Sequence, residues 1–254
     1  MEDDLGHRVD VDRPARRVVS LVPSLTEAIA ATRAEALVGA TDWCTHPTDL
    51  TVRRVRGTKN PDRRAIVDLR PDLVVANKEE NRELDVRRLR EAGVPVWVTD
   101  IESVDRAFAS LRRLFLDGLG WGVPDWLVAA ERIWAAPVPE RRTRVAVAIW
   151  RDPWMVVGGR TFTGDVVRRL GLRPAFADSV DRYPRIELAV LDSPDVDVVL
   201  LPDEPYRFTP DDGPEAFERV PTALCSGRSL TWYGPSLLTA RDELLRVVDE
   251  ASVG

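Results

Sequence analysis

The sequence predicts an α/β fold made of two βα halves, and three observations lead there. Each half repeats the same order of strand-like and helix-like runs, a helical zone separates the halves, and large aromatic residues follow the strand-like runs directly. In open parallel sheets, ligands bind in the crevice beyond the carboxyl ends of the strands, so the third observation concerns function as well as fold.

Residues 17–22 form a strand-like run leading into Pro23-Ser24-Leu25-Thr26-Glu27, a helix start with a Ser24…Glu27 capping box. A second β-like run covers 37–40. Residues 67–70 end a helix, Pro71-Asp72 turns the chain, and 73–76 make a buried strand. Residues 103–116 carry Val104, Ala107, Phe108, Leu111, Leu114 and Phe115 at helical spacing. Pro124 occupies the favoured first position of a helix over 125–136, which Pro137-Val138-Pro139 ends. The second half restarts with a strand over 143–149 and a helix over 163–171 with a glycine stop. Pro194-Asp195 then precedes the strand 196–201, matching Pro71-Asp72 in the first half, and 236–248 reads as a last helix. The expected organisation is an N-terminal α/β lobe over 16–102, linking helices over 103–137 and a C-terminal α/β lobe over 138–254. A helical link is stiffer than a Gly/Ser tether.

Composition narrows the function. The chain has 254 residues, enough for one large domain or two lobes with separate cores. A net charge of −6 opposes nucleic-acid binding, whose footprint is basic. Cys44 and Cys225 form no CxxC and imply no disulfide framework. The acidic residues 1–8 lack the charged and apolar regions of a secretory signal. No apolar run approaches the ~20 residues that span a bilayer. The expectation is a cytoplasmic protein, or an extracytoplasmic one if a leader was removed or the start codon lies upstream.

Enzymatic signatures are thin. The glycines of 158–164 lack a following Lys-Ser/Thr, which argues against a phosphate cradle, and no GxSxG is present. His7 falls in a segment expected to fray. His46 alone cannot assemble a zinc site, so its metal role would be one axial bond to an already chelated ion. Trp43, Trp150, Trp154 and Trp232 follow strand-like runs or sit in turns and suit a broad, flat ligand, whereas Trp97, Trp126 and Trp134 read as core. Arg151 lies between two of these tryptophans, and Tyr183 follows Arg182 in another loop. A guanidinium beside an aromatic face can stack and hydrogen-bond the polar rim of a ligand. The cluster Arg53, Arg54, Arg56, Lys59, Arg63 and Arg64 reads either as an anion-attracting patch or as a solvated face.

Several runs together resemble the class III substrate-binding proteins of ABC importers, the receptors for cobalamin, haem and ferric siderophores joined by a helical backbone. They are residues 17–27, 37–47 with Trp43 and His46, 60–62, 66–74, 149–155, 201–206 and 230–235. The resemblance covers roughly 16–248 and is strongest to the cobalamin-receptor branch. It implies two Rossmann-like lobes with the ligand in a cleft between them, no catalysis and no catalytic cofactor. It assigns ligand contacts to Trp43, Trp150, Arg151, Trp154, Tyr183 and Trp232. It also implies an ABC permease as partner, docked through one exposed glutamate per lobe. The first of these positions is Arg64, a reversal of charge, and the second matches Glu187. Lys59 and Asn77 stand where cobalamin receptors carry aromatics. The ligand is therefore left open among metal chelates. A chelatase-like enzyme acting on tetrapyrroles, with His46 as its catalytic group, is the alternative from another class.

Overall fold

The computed structural model describes residues 1–253. The chain divides into two compact units. The first comprises Met1–Ile101, Asp105–Glu131 and Tyr233–Pro235. The second comprises Glu102–Val104, Arg132–Trp232 and Ser236–Gly254.

The first unit contains β1 (Val18–Ser20), α1 (Pro23–Arg33), β2 (Leu37–Ala40), β3 (Arg53–Arg54), and the small hairpin β4 (Arg56–Gly57) and β5 (Asn60–Pro61). α2 (Arg63–Asp68), β6 (Leu73–Asn77), α3 (Glu83–Glu91) and β7 (Val96–Thr99) follow, then α4 (Val104–Arg113) and most of α5 (Asp125–Ala135). The sheet is parallel in the order β3-β2-β1-β6-β7, with Val18 opposite Leu73 and Val74 opposite Val96. β1, β6 and β7 are buried throughout, as expected for a parallel sheet covered on both faces. Val19, Leu21, Val74, Ala76, Val86, Leu89, Val96 and Val98 form the core.

α1 begins differently from the sequence expectation. Its N-cap is Val22, with no side-chain cap, and Pro23 takes the first position. Ser24 therefore lies inside the first turn, and the Ser24…Glu27 capping box does not form. α2 shows the device that α1 lacks: the Asp62 carboxylate accepts from Ala65 N at 3.1 Å.

The segment 1–9 is not frayed. The buried Asp3 side chain accepts from Leu5 N (3.0 Å), His7 N (2.9 Å), Val98 N (3.3 Å) and Arg90 Nη2 (2.6 Å). Asp4 N donates to Val98 O at 3.1 Å, and the Asp4 side chain accepts from Asp100 N at 3.0 Å. The segment thus occupies the open edge of β7, which would otherwise expose unpaired backbone groups.

The second unit contains β8 (Arg144–Trp150), β9 (Met155–Val156), α6 (Phe162–Arg169), β10 (Arg173–Pro174), α7 (Leu188–Leu191), β11 (Val198–Pro202), β12 (Thr222–Cys225), α8 (Gly227–Thr231) and α9 (Leu237–Val253). Its parallel sheet runs β10-β8-β11-β12, the same relative order as β2-β1-β6-β7. β9 folds back antiparallel on β8, pairing Ala148 with Val156 and Trp150 with Met155 across a bulge. The glycines before α6 are required by close backbone approach. A Cβ on Gly159 would lie 2.2 Å from Ala177 O, and one on Gly158 would lie 2.5 Å from Asp181 O. Backbone fills the space a phosphate would need, and Thr161 caps α6 through Gly164 N at 3.0 Å.

Candidate functional site

In a sheet of order second-first-third, connections leave the first and third strands in opposite directions, and a crevice opens between their carboxyl ends. In the second unit those strands are β8 and β11. The residues just beyond them are Trp150 and the segment 203–206. The Trp150 ring is 46% exposed and meets Tyr206 edge to face, with centroids 5.3 Å apart. Tyr206 touches Phe208 at 4.7 Å, Phe208 stacks on Trp154 at 5.8 Å, and Phe217 meets the other side of Trp154 at 5.3 Å. Five rings therefore run from solvent into the core. Trp150 is the offered end. Trp154, 7% exposed, is the buried end and belongs to the core cluster of this unit.

Tyr206, which the sequence places in the loop after β11 without a role of its own, is the ring beside Trp150. Its hydroxyl donates to Asp212 Oδ2 at 2.6 Å, which holds the Asp212 carboxyl below its ordinary pKa, and raises that of the phenol.

Arg151 does not stand free beside Trp150. Its guanidinium pairs with Asp212 and, at 2.6 Å, with Glu215, and it lies 5.4 Å from the Trp154 ring centroid. The pairing with Arg151 holds Glu215 below its usual range and raises Arg151 further. Asp152, at φ 57°, makes the tight turn after it.

Tyr183, 36% exposed, sits on a segment hydrogen-bonded alongside 154–158, with Val156 N donating to Pro184 O at 3.1 Å and Ile186 N to Trp154 O at 3.0 Å. Trp232 is only 5% exposed, and its indole N–H donates to Glu204. Burial pushes the Glu204 carboxyl up, opposed by that N–H. Trp154 and Trp232 are both buried and brace the loops.

In the first unit, Trp43 follows β2 and is 66% exposed. Arg54 fixes its loop, donating from Nη1 to Thr41 O and Cys44 O, both at 2.9 Å. Below it, the Cys44 sulfur lies 3.0 Å from Thr26 Oγ1 and 3.1 Å from Thr41 Oγ1, and burial raises its pKa. The indole edge lies over Gly57, where a Cβ would come within 3.3 Å of Nε1. His46 is half-buried on the same loop, its Nδ1 3.2 Å from Thr45 Oγ1.

The two family departures have structural work. Asn77 donates to Thr99 Oγ1 at 3.1 Å and accepts from Glu79 N at 2.8 Å, closing the loop after β6. Lys59 donates to Glu79 O at 2.6 Å. Asn81 ties Leu21 O (3.2 Å) to Thr58 O (3.0 Å), so three loops at this end of the sheet are locked together.

No family model matches the chain. Among curated proteins, a vitamin B12-binding protein of Pectobacterium carotovorum is 32% identical over 101 residues, 39% of this chain and 37% of that protein, so the match spans little more than a third of the relative's length. An ABC transporter substrate-binding lipoprotein of Bacillus subtilis, YvrC, is 24% identical, covering 70% of this chain and 61% of that protein. Both are named as binding proteins rather than enzymes. Among solved structures, the periplasmic heme-binding protein RhuT of Roseiflexus in apo form superposes with a TM-score of 0.76 at 21% identity, over 94% of this chain and 99% of that one. In part of its sequence this chain is similar to the ABC-importer substrate-binding proteins that its motifs resemble, and it shares their fold.

Proposed function

We propose that the protein binds a metal tetrapyrrole or a similar metal chelate without changing its bonds, with the exposed rings of Trp43, Trp150 and Tyr183 and the half-buried Tyr206 as its aromatic contacts. The observation that carries this reading is the Trp150–Tyr206 pair at the β8/β11 switch point, a rigid ring surface held by side chains beneath it. The relatives named for vitamin B12 and heme supply the ligand class. His46 offers one axial bond to a metal already held by its chelate.

Titration of the purified protein with cobalamin, haemin and a ferric siderophore tests this, followed by tryptophan fluorescence and ligand absorbance. Saturable quenching by at least one of them is expected, and no saturable change with any overturns the proposal. A His46→Ala variant that shifts the bound ligand's absorbance band identifies an axial bond; an unchanged band removes it.

In this reading the partner is an ABC permease, and the relative named as an ABC transporter substrate-binding lipoprotein supports it. No helix among the described residues is long and apolar enough to cross a membrane. Co-purification with a permease tests the partnership, and a native pool confined to the cytosol leaves the protein as a cytosolic holder of the same ligand.

A further inference from the structure

Around the Trp150–Tyr206 pair, the adjacent arginine is already engaged and carboxylates outnumber basic groups. Arg151, adjacent to Trp150, is bound by Asp212 and Glu215. Two carboxylates on one guanidinium leave the group net negative. The Tyr206 hydroxyl, the other donor at this ring pair, is given to Asp212. Residues 203–215 hold Asp203, Glu204, Asp211, Asp212 and Glu215 against the single basic Arg207, and the Asp152 side chain is 86% exposed.

We propose that these ring surfaces select chelates with an uncharged, carboxamide-bearing rim and turn away those with a carboxylate rim, with Asp212 and Glu215 setting the choice by withholding Arg151. The inference rests on the metal-chelate reading and narrows its ligand class. A carboxylate guest finds the Arg151 charge already paired and meets like charge, which disfavours association. A carboxamide rim can donate its N–H groups to these carboxylates, forming the stronger charge-assisted bonds. The repulsion acts over roughly a Debye length, about 8 Å at physiological ionic strength, so salt relieves it.

The test titrates the protein with cyanocobalamin, whose ring substituents end in carboxamides, and with haemin, which carries two carboxylates, at low and high salt. At low salt cobalamin is expected to bind roughly tenfold tighter or more, a difference of about 1.4 kcal/mol. Haemin affinity should rise as salt is added. Glu215→Gln and Asp212→Asn each loosen Arg151, and each should raise the haemin-to-cobalamin affinity ratio severalfold. Haemin binding as tightly as cobalamin, with an affinity that falls on adding salt, overturns the inference while leaving the chelate reading intact. Saturation by neither ligand overturns both, and the salt series on the unmodified protein decides the matter even if a variant misfolds.

Discussion

Replacing Trp154 by alanine separates a structural from a ligand-contacting tryptophan. The ring is 7% exposed, stacked on Phe208, edge-on to Phe217 and under Arg151. Truncating a buried Trp costs about 3–5 kcal/mol through lost transfer energy and the cavity left behind. The two ring pairs, worth about 0.5–1.5 kcal/mol each beyond area, place this site toward the upper part of that range. A loss of ~4 kcal/mol is a large share of the 5–15 kcal/mol that holds a typical domain, and it moves a urea midpoint by about 1–2 M. Trp150→Ala removes one edge-to-face pair from a ring that is 46% exposed, so its cost stays below about 1.5 kcal/mol. Ligand binding should order the other way. Trp150→Ala weakens affinity about tenfold or more, whereas Trp154→Leu, which keeps an apolar filler, holds it within about threefold. Urea denaturation by circular dichroism and ligand titration of the three variants provide the measurements. A stable Trp154→Ala protein that no longer binds would refute the division of roles.

Three further outcomes are expected. Asp3→Ala should cost about 3 kcal/mol in urea denaturation, because it strands Arg90 and three backbone N–H groups at the β7 edge; a loss below 1 kcal/mol would deny the segment that role. Burial raises the pKa of both Cys44 and Cys225, so at pH 8 both stay protonated and neither should react with a thiol reagent until the protein is unfolded. Burial and the neighbouring Glu80 push the Tyr233 phenol well above its ordinary value. A raised acid favours folding while protonated, so its contribution is intact below the unfolded pKa of about 10 and is lost as pH climbs toward the folded one. Tyr233 should ionise, by absorbance near 295 nm, only with alkaline unfolding; a phenolate titrating in the folded protein near pH 10 would contradict this.

The alternation of strands and helices was legible because buried parallel strands are written as uninterrupted Val, Leu and Ile runs, and because Pro71 and Pro194 mark the same turn before β6 and β11. The capping box over Ser24 and Glu27 failed for a local reason: proline at the first helical position moved the start by two residues. The tryptophans divided along a line that sequence does not draw. Trp150 and Trp154 are four residues apart, yet the turn between β8 and β9 leaves one ring exposed and the other in the core. Indole is apolar enough for either fate, so position after a strand located the region without giving the direction. The ion pairs of Arg151 were not legible, because its partners Asp212 and Glu215 are some sixty residues away in the chain. The locked asparagines and the N-terminal hook depend on such distant partners too. No periodicity announces them.

The antiparallel return of β9 bears on how this protein can be altered. Because β8 is anchored by β10 and β11, a single residue added to or deleted from the turn at 151–154 would slip the short β9 against it and exchange the faces that Met155 and Val156 present, while Trp150 keeps the aim that β8 gives it. Insertions after β2 or β11 face no such all-or-none rule. Changes of length belong in those loops, and changes between β8 and β9 are best confined to substitutions.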